Sequence, residues 1–355
     1  RENLIQNHLK IPLGLIKNLK YLEFGPNTAE NACFFANYNA EIFLVEPNVS
    51  THKIIKKNFH NIGKHKQLKQ LSSKTLEDYS SKKKFDLVVA EGFLNTLNKR
   101  EKYLKKLSNY LNNKSILIIN YDDKFGGLFE HIKSYLLLKI CNLKSINKLS
   151  KESYKISKTL FYNEFKKLKT SRNFHAWWAD QLVNPFAANT WSLTEIINFA
   201  NKNKLKIYST SPMFDESNNF QWYKNINKNF KPIKKNNQIF YNEWKKSFLS
   251  IVLGKKKKIL NLEKNTISEI NNFSDSLCRV ISQSNNKYFN VKISNKLVKL
   301  LNNYESKTLA KELKELFLLI EKNKNPEKII NFYKKSKRLK QTWGSLLHYV
   351  ALIKN

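Results

Sequence analysis

Residues 21–48, YLEFGPNTAENACFFANYNAEIFLVEPN, constrain this chain more than any other stretch. The pattern predicts strand, tight turn, helix and second strand. Leu22 and Phe24 lead into Gly25-Pro26-Asn27, and Ile42-Phe43-Leu44-Val45 ends at Glu46. A glycine-led turn lets backbone approach a ligand at a helix N-terminus, and an acid at the next strand tip can accept both hydroxyls of a ribose. The turn and Glu46 are therefore expected to face one cleft.

A glycine turn followed about twenty residues later by an acid also fits a dinucleotide fold. Two details argue otherwise: the third glycine is absent, and Glu23 places a second carboxylate at the strand end, which suits a cationic ligand better than a pyrophosphate. Glu23-Phe24-Gly25-Pro26-Asn27-Thr28-Ala29 resembles the first motif of class I S-adenosylmethionine-dependent methyltransferases: an acid, any residue, Gly, any, Gly, any, Gly. Asn27 and Ala29 stand where that family has glycine. Asn tolerates left-handed backbone better than most residues, and Ala is the smallest residue that carries a Cβ. A generic turn for another nucleotide, or a decayed turn in a binding or scaffold protein, are the competing readings.

Later segments extend the resemblance. Residues 84–92, KFDLVVAEG, form a continuous apolar run of the kind buried on both faces of a sheet, and resemble the family's fourth strand. A helix over 98–111 precedes a fifth strand at 115–120. The sixth and seventh strands are expected at 204–210 and 248–253, and residues 343–352 alternate like an additional edge strand. The implied fold is α/β: a Rossmann-like seven-stranded methyltransferase sheet with an inserted helical lid and a C-terminal helical appendix. The expected divisions are a lead-in at 1–17, a cofactor domain at 18–123 and 204–254, a substrate lid at 124–203 and a helical region at 255–355.

The resemblance implies S-adenosyl-L-methionine as cofactor. Glu46 and Pro47 would lie at its ribose. Gly25, Pro26, Asn27, Thr28, Glu30 and Asn31 would lie at its methionine end, and Glu23 would anchor the turn or the ammonium. Glu77, with Ser72 and Asp78 as alternatives, is the candidate for the adenine amino group. Glu91 would sit beside the transferred methyl. An acceptor hydroxyl needs a base, and the candidates are Glu91, Asp122 with Asp123, His175 and Asp180. Ring faces stack on sugars while amides and charges bind hydroxyls, so Trp178, Asn184, Trp222, Tyr223 and Lys224 are the substrate-binding candidates.

Glu30-Asn31-Ala32 after the Gly-Pro turn, and Asn184-Pro185, are similar to versions found with bacterial surface-polysaccharide genes. That narrower resemblance implies O-methylation of a sugar, a nucleotide-sugar or another small polar acceptor. The sequence after Val89 is not Asn-Pro-Pro-Tyr, which counts against methylation of a base nitrogen.

The formal charge of +36 points toward nucleic acid, and an RNA acceptor is the rival reading. The excess is nearly all lysine, however, and runs with Asn and Ile along the whole length, so we read it as solvated surface. Cys33, Cys141 and Cys278 are isolated, with no histidine at ligand spacing, so neither a metal site nor a disulfide is expected. No apolar run is long enough to span a membrane and no signal peptide is evident, so a cytoplasmic protein is expected. The helical C-terminal region is expected to brace the lid or to form a homodimer face.

Overall fold

The computed structural model describes residues 1–97, 99–168, 170, 172–183, 189–214, 236–246, 262–283, 291–303, 307–322 and 324–354. Among these, seven strands form one sheet: β1 (Lys20–Phe24), β2 (Glu41–Val45), β3 (Leu68–Ser72), β4 (Phe85–Ala90), β5 (Leu111–Asp122), β6 (Leu205–Ser211) and β7 (Leu347–Lys354). Their order is β3-β2-β1-β4-β5-β7-β6. β1 pairs in parallel with both β2 and β4, and β6 pairs antiparallel with β7. The chain leaves β1 toward one side for β2 and β3, then returns to β1's other flank for β4. That reversal opens a crevice beyond the carboxyl ends of β1, β2 and β4, where open α/β sheets bind ligands.

Local sequence explains these elements. The buried side chains of β4 follow one another without alternation because helices and loops cover both faces. Helix α1 (Glu30–Asn37) buries Ala32, Phe35 and Ala36, and the Phe35 ring stacks on Tyr21 of β1 at 4.4 Å. Helix α2 (Val49–Asn61) buries Thr51, Ile55 and Phe59 at four-residue spacing, and the Asn48 side chain caps it by accepting the Ser50 amide. Helix α3 (Arg100–Asn109) leads into β5.

The seventh strand is a correction. Residues 248–253 lie outside the described residues, and the strand paired with β6 is β7, from the segment expected to be an additional edge strand. β7 lies inside the sheet and β6 is at its edge. The burial agrees: Val350, Ala351 and Leu352 are fully enclosed, as an interior strand requires.

The chain divides into two compact units. One comprises Arg1–Tyr121, Leu193–Trp244 and Leu347–Asn355; the other comprises Asp122–Ser192 and Lys245–Leu346. The second unit takes in residues 124–192 of the expected lid and 255–346 of the expected appendix. The reason is helix α4 (Leu128–Leu143), buried on nearly every side. A helix enclosed all round needs partners on every face, and α9 (Lys264–Ser282) and α12 (Pro326–Lys335) supply some of them beside α5 (Lys151–Lys166). Helices α10 (Asn295–Asn303) and α11 (Lys307–Lys322) complete this C-terminal part. The second unit also holds the short helix α6 (Phe174–Trp177), while α7 (Leu193–Lys202) and α8 (Asn236–Lys246) are the late helices of the chain's middle. No helix among the described residues is long and apolar enough to cross a membrane.

Leu352→Ala should lower the unfolding free energy by about 2–5 kcal/mol, the cost of a cavity at an enclosed site. Leu347→Ala, at the half-exposed start of β7, should cost less than about 1 kcal/mol. Denaturant titration of the two variants checks both.

Candidate active site

The turn after β1 is left-handed at alternate residues: φ is +66° at Gly25, +51° at Asn27 and +61° at Ala29. The two positions where glycine is replaced have therefore kept the backbone that glycine would favour. Gly25 is doubly constrained, because a Cβ there would stand 2.9 Å from the Phe93 ring. The Gly25 amide donates to the Val45 carbonyl at 2.9 Å, and the Asn58 side chain donates to the Thr28 carbonyl at 2.9 Å. These bonds fix the turn to β2 and α2.

Glu46, at the tip of β2, closes the arrangement. One of its oxygens accepts the Asn27 amide at 2.9 Å and the other accepts the Asn48 amide at 2.8 Å. His52 is 2.8 Å from the Glu46 carbonyl. The acid and the turn thus meet directly, as a shared cleft requires.

Two cavities adjoin at Gly25 and Asn27. The larger, about 460 Å³, has Glu46, Pro47 and Glu77 beside the apolar surfaces of Phe24, Leu76, Phe93, Leu97 and Tyr103. A flat aromatic ring and a ribose match that mixture. The smaller, about 280 Å³, is lined by Glu23, Pro26, Thr28, Glu30, Asn31, Glu91, Gly92 and Asn120 in addition to the shared pair. Three carboxylates in one small cavity suit a cation. Each of the eleven residues put first for the cofactor lines one cavity or the other, and the alternatives Ser72 and Asp78 line neither. Phe93, Leu76, Tyr103 and Asn120 were missed. Phe93 follows the Glu91-Gly92 stop and was legible as a loop residue near the crevice, whereas nothing local marked the other three.

The carboxylates are not equivalent. Glu23 is buried and accepts the Tyr21 hydroxyl at 2.8 Å. Burial first, and then the negative charge of Glu91, push its carboxyl up to about 7, against the pull of Tyr21 and Arg1. Glu91 is held two-on-two by the Arg1 guanidinium, with both side chains 10% exposed. Glu77 is exposed and bonded to Lys102 at 2.7 Å and to Tyr103, which hold its carboxyl below the usual range. Asp78 bonds Thr75 within a turn, and Ser72 accepts the Lys74 amide.

Asp122, His175, Trp178 and Asp180 belong to the second unit and are described within it. The Asp122 carbonyl accepts the Trp191 amide at 2.8 Å. The neighbouring Asp123 carboxylate accepts the Phe125 and Gly126 amides, the turn role that an Asp after a strand often fills. His175 is exposed and its ring lies 5.3 Å from Tyr154; Trp178 is buried against the same tyrosine. Asp180 is ion-paired with Arg172. Asn184, Trp222, Tyr223 and Lys224 lie outside the described residues. Among the described residues, no group of three or more His, Cys, Asp and Glu is placed to hold a metal ion.

A sheet of this order, with an acid-x-Gly turn at the reversal and an acid at the adjacent strand tip, defines a nucleoside-binding α/β fold of Rossmann type. The model of a methyltransferase domain matches residues 1–192, more than half of the chain, and the chain belongs to that family. S-adenosyl-L-methionine is the methyl donor of the class. No curated protein matches the sequence. Similar solved structures include PKMT2 from Rickettsia typhi in complex with AdoHcy, at 13% identity over 99% of this chain and 52% of that one, with a TM-score of 0.49. Magnesium protoporphyrin IX methyltransferase from Synechocystis PCC 6803 with bound SAM is 12% identical over 31% of this chain and 51% of that one, with a TM-score of 0.28. The CcbJ methyltransferase from Streptomyces caelestis is 13% identical over 32% and 48%, with a TM-score of 0.29. The chain spans about half the length of each of these structures.

Gly25→Ala should destabilise the fold by about 1–3 kcal/mol, from the left-handed backbone and the Phe93 collision together. Thermal unfolding measures it. A second expectation follows from Glu23, whose carboxyl rises from 4.5 to about 7 on folding. The folded state then holds the proton more tightly than the unfolded state, so this stabilisation is complete below 4.5 and is lost as pH rises through 7. The stability advantage of the wild type over Glu23→Gln should therefore shrink across that interval in denaturant titrations at stepped pH.

Proposed function

We propose that the chain binds S-adenosyl-L-methionine across the two cavities and transfers its methyl group to a hydroxyl of a sugar or another small polar acceptor. The observation that carries the cofactor reading is the Glu46 carboxylate bonded to the Asn27 amide at 2.9 Å, at the junction of the cavities. The residues fit the molecule. The turn lies against the cavities without a Cβ at Gly25, Glu46 retains acceptor capacity for ribose hydroxyls, and the acidic cavity suits an ammonium and a sulfonium.

When bound, the cofactor supplies a methyl on a sulfonium, a leaving group that needs no protonation. The chain's own residues would therefore act by alignment and by exclusion of water. Phe93, Leu76 and Tyr103 would sandwich the adenine, Glu46 would hold the ribose, and Glu23 would face the ammonium. The acceptor hydroxyl must lose a proton as its oxygen bonds the methyl. Glu91 and Asp180 are each engaged by an arginine, whose N–H groups occupy the oxygens that would have to take that proton. Among the other candidates, His175 is an exposed imidazole, the side-chain type suited to taking that proton. The sugar reading rests on the aromatic and hydrogen-bonding residues of 175–186 and 220–224.

Calorimetric titration with S-adenosylhomocysteine tests the cofactor. Glu46→Ala and Gly25→Trp should each weaken binding by at least about tenfold, equal to about 1.4 kcal/mol, and unchanged affinity in both overturns the assignment. The acceptor is tested with labelled donor against sugars, nucleotide-sugars and RNA. The +36 charge favours RNA as second reading, and label found in RNA, with binding that falls steeply as salt rises, would replace the sugar.

A further inference from the structure

One carboxylate of the acidic cavity, Glu91, is paired with Arg1. Arg1 precedes the helical turn Asn3–His8, and the segment that follows is seated on β6: the Ser209 hydroxyl donates to the Leu9 carbonyl at 2.5 Å and the Tyr208 hydroxyl to the Lys10 carbonyl at 2.8 Å. From there the Arg1 guanidinium meets Glu91, Nη1 to Oε2 at 2.8 Å and Nη2 to Oε1. The guanidinium carbon also lies 5.9 Å from the centre of the Phe35 ring, which stacks on Tyr21, whose hydroxyl donates to Glu23. Glu23 and Glu91 both line the smaller cavity.

We propose that Arg1 is a positioning residue for cofactor binding: by holding Glu91 as an ion pair it sets the charge of the cavity, and it leaves Glu23 as the carboxyl that releases a proton when the cofactor's ammonium enters. This rests on the cofactor reading above. Two carboxylates in one buried cluster do not ionise independently, and one guanidinium offsets one of them. The two-on-two geometry, strongest between Arg and a carboxylate, selects Glu91. Glu23 has instead a neutral hydroxyl as its donor.

The groups that face Glu23 are Tyr21 on its own strand, Arg1, Glu30 and Cys33 from α1, Glu46 beyond β2 and Glu91 beyond β4. Burial pushes the Cys33 thiol up to about 11 and the Tyr21 phenol well above its usual range, so neither changes charge near neutrality. An entering cation supplies a second positive charge, the Glu23 O–H bond breaks, and the proton passes to solvent.

Calorimetry with S-adenosylhomocysteine across about pH 5.5 to 8.5, in two buffers of different ionisation enthalpy, tests this. In the wild type, binding should tighten toward about tenfold per pH unit below neutrality and level off above it, with up to about one proton released. Arg1→Gln removes the positive charge and should move the midpoint up by about one pH unit; Glu91→Gln removes the neighbouring negative charge and should move it down by about as much. Arg1→Lys keeps the charge and should stay within about half a unit. Opposed shifts support the proposal. Weakened binding with an unmoved midpoint in both variants overturns it, since a purely structural Arg1 would act in that way. If Arg1→Gln fails to fold, the Glu91→Gln shift alone decides. Binding without proton release overturns the inference and leaves the cofactor reading standing, whereas a wild type that binds no S-adenosylhomocysteine overturns both.

Discussion

One carboxylate, Glu46, accepts the Asn27 and Asn48 amides together, and the geometry of the candidate site depends on that pair of bonds. Charge-assisted bonds of this kind are roughly twice as strong as neutral ones. The strength matters because the turn is costly to hold. Three of its residues are left-handed and two of them carry a Cβ, each at about 1–2 kcal/mol. The bond from Gly25 to Val45 and the Asn58 contact with Thr28 share that load.

The electrostatics of the site run against those of the whole chain. A formal charge of +36 repels a cation at long range, and yet the smaller cavity gathers three carboxylates. Salt reconciles the two. Surface lysines are screened within about 8 Å at physiological ionic strength, whereas buried carboxylates act at contact distance and are screened much less. Burial also makes the acids interdependent. Burial beside Glu91 pushes the Glu23 carboxyl up to about 7, and the Glu91 carboxylate is paired with Arg1.

The second unit solves a different problem with the same chemistry. Its central helix α4 is enclosed along almost its whole length and still carries Glu130, His131 and Lys133. Burial draws the Lys133 ammonium down to about 8, with Glu130 partly opposing the shift. Lys133 donates to the Thr342 carbonyl and lies 4.3 Å from the centre of the Trp343 ring, while Glu130 accepts the Gly344 amide at 2.9 Å. These buried charges are matched by the backbone of the strap that immediately precedes β7 in the chain. Polar groups on an enclosed helix are tolerated when each finds such a partner.

Reading the sequence was enough for whatever repeats over a few residues. The β1 turn and the acids at the tips of β2 and β4 follow from apolar periodicity and from stop residues, which act locally. Ten of the eleven residues put first for the cofactor line the cavities because they follow from those strand ends, and Glu77 reaches the larger cavity from the loop after β3. Tertiary structure alone decided the rest. Asn27 and Ala29 would by themselves favour negative φ, and the bonds of the turn to β2 and α2 hold them left-handed. The partner of β6 comes from the far end of the chain, where a strand's alternation shows that it pairs but not with what. Arg1 meets Glu91 across 90 residues of sequence, an ion pair that no local pattern encodes, because a charge is selected by its neighbours in space.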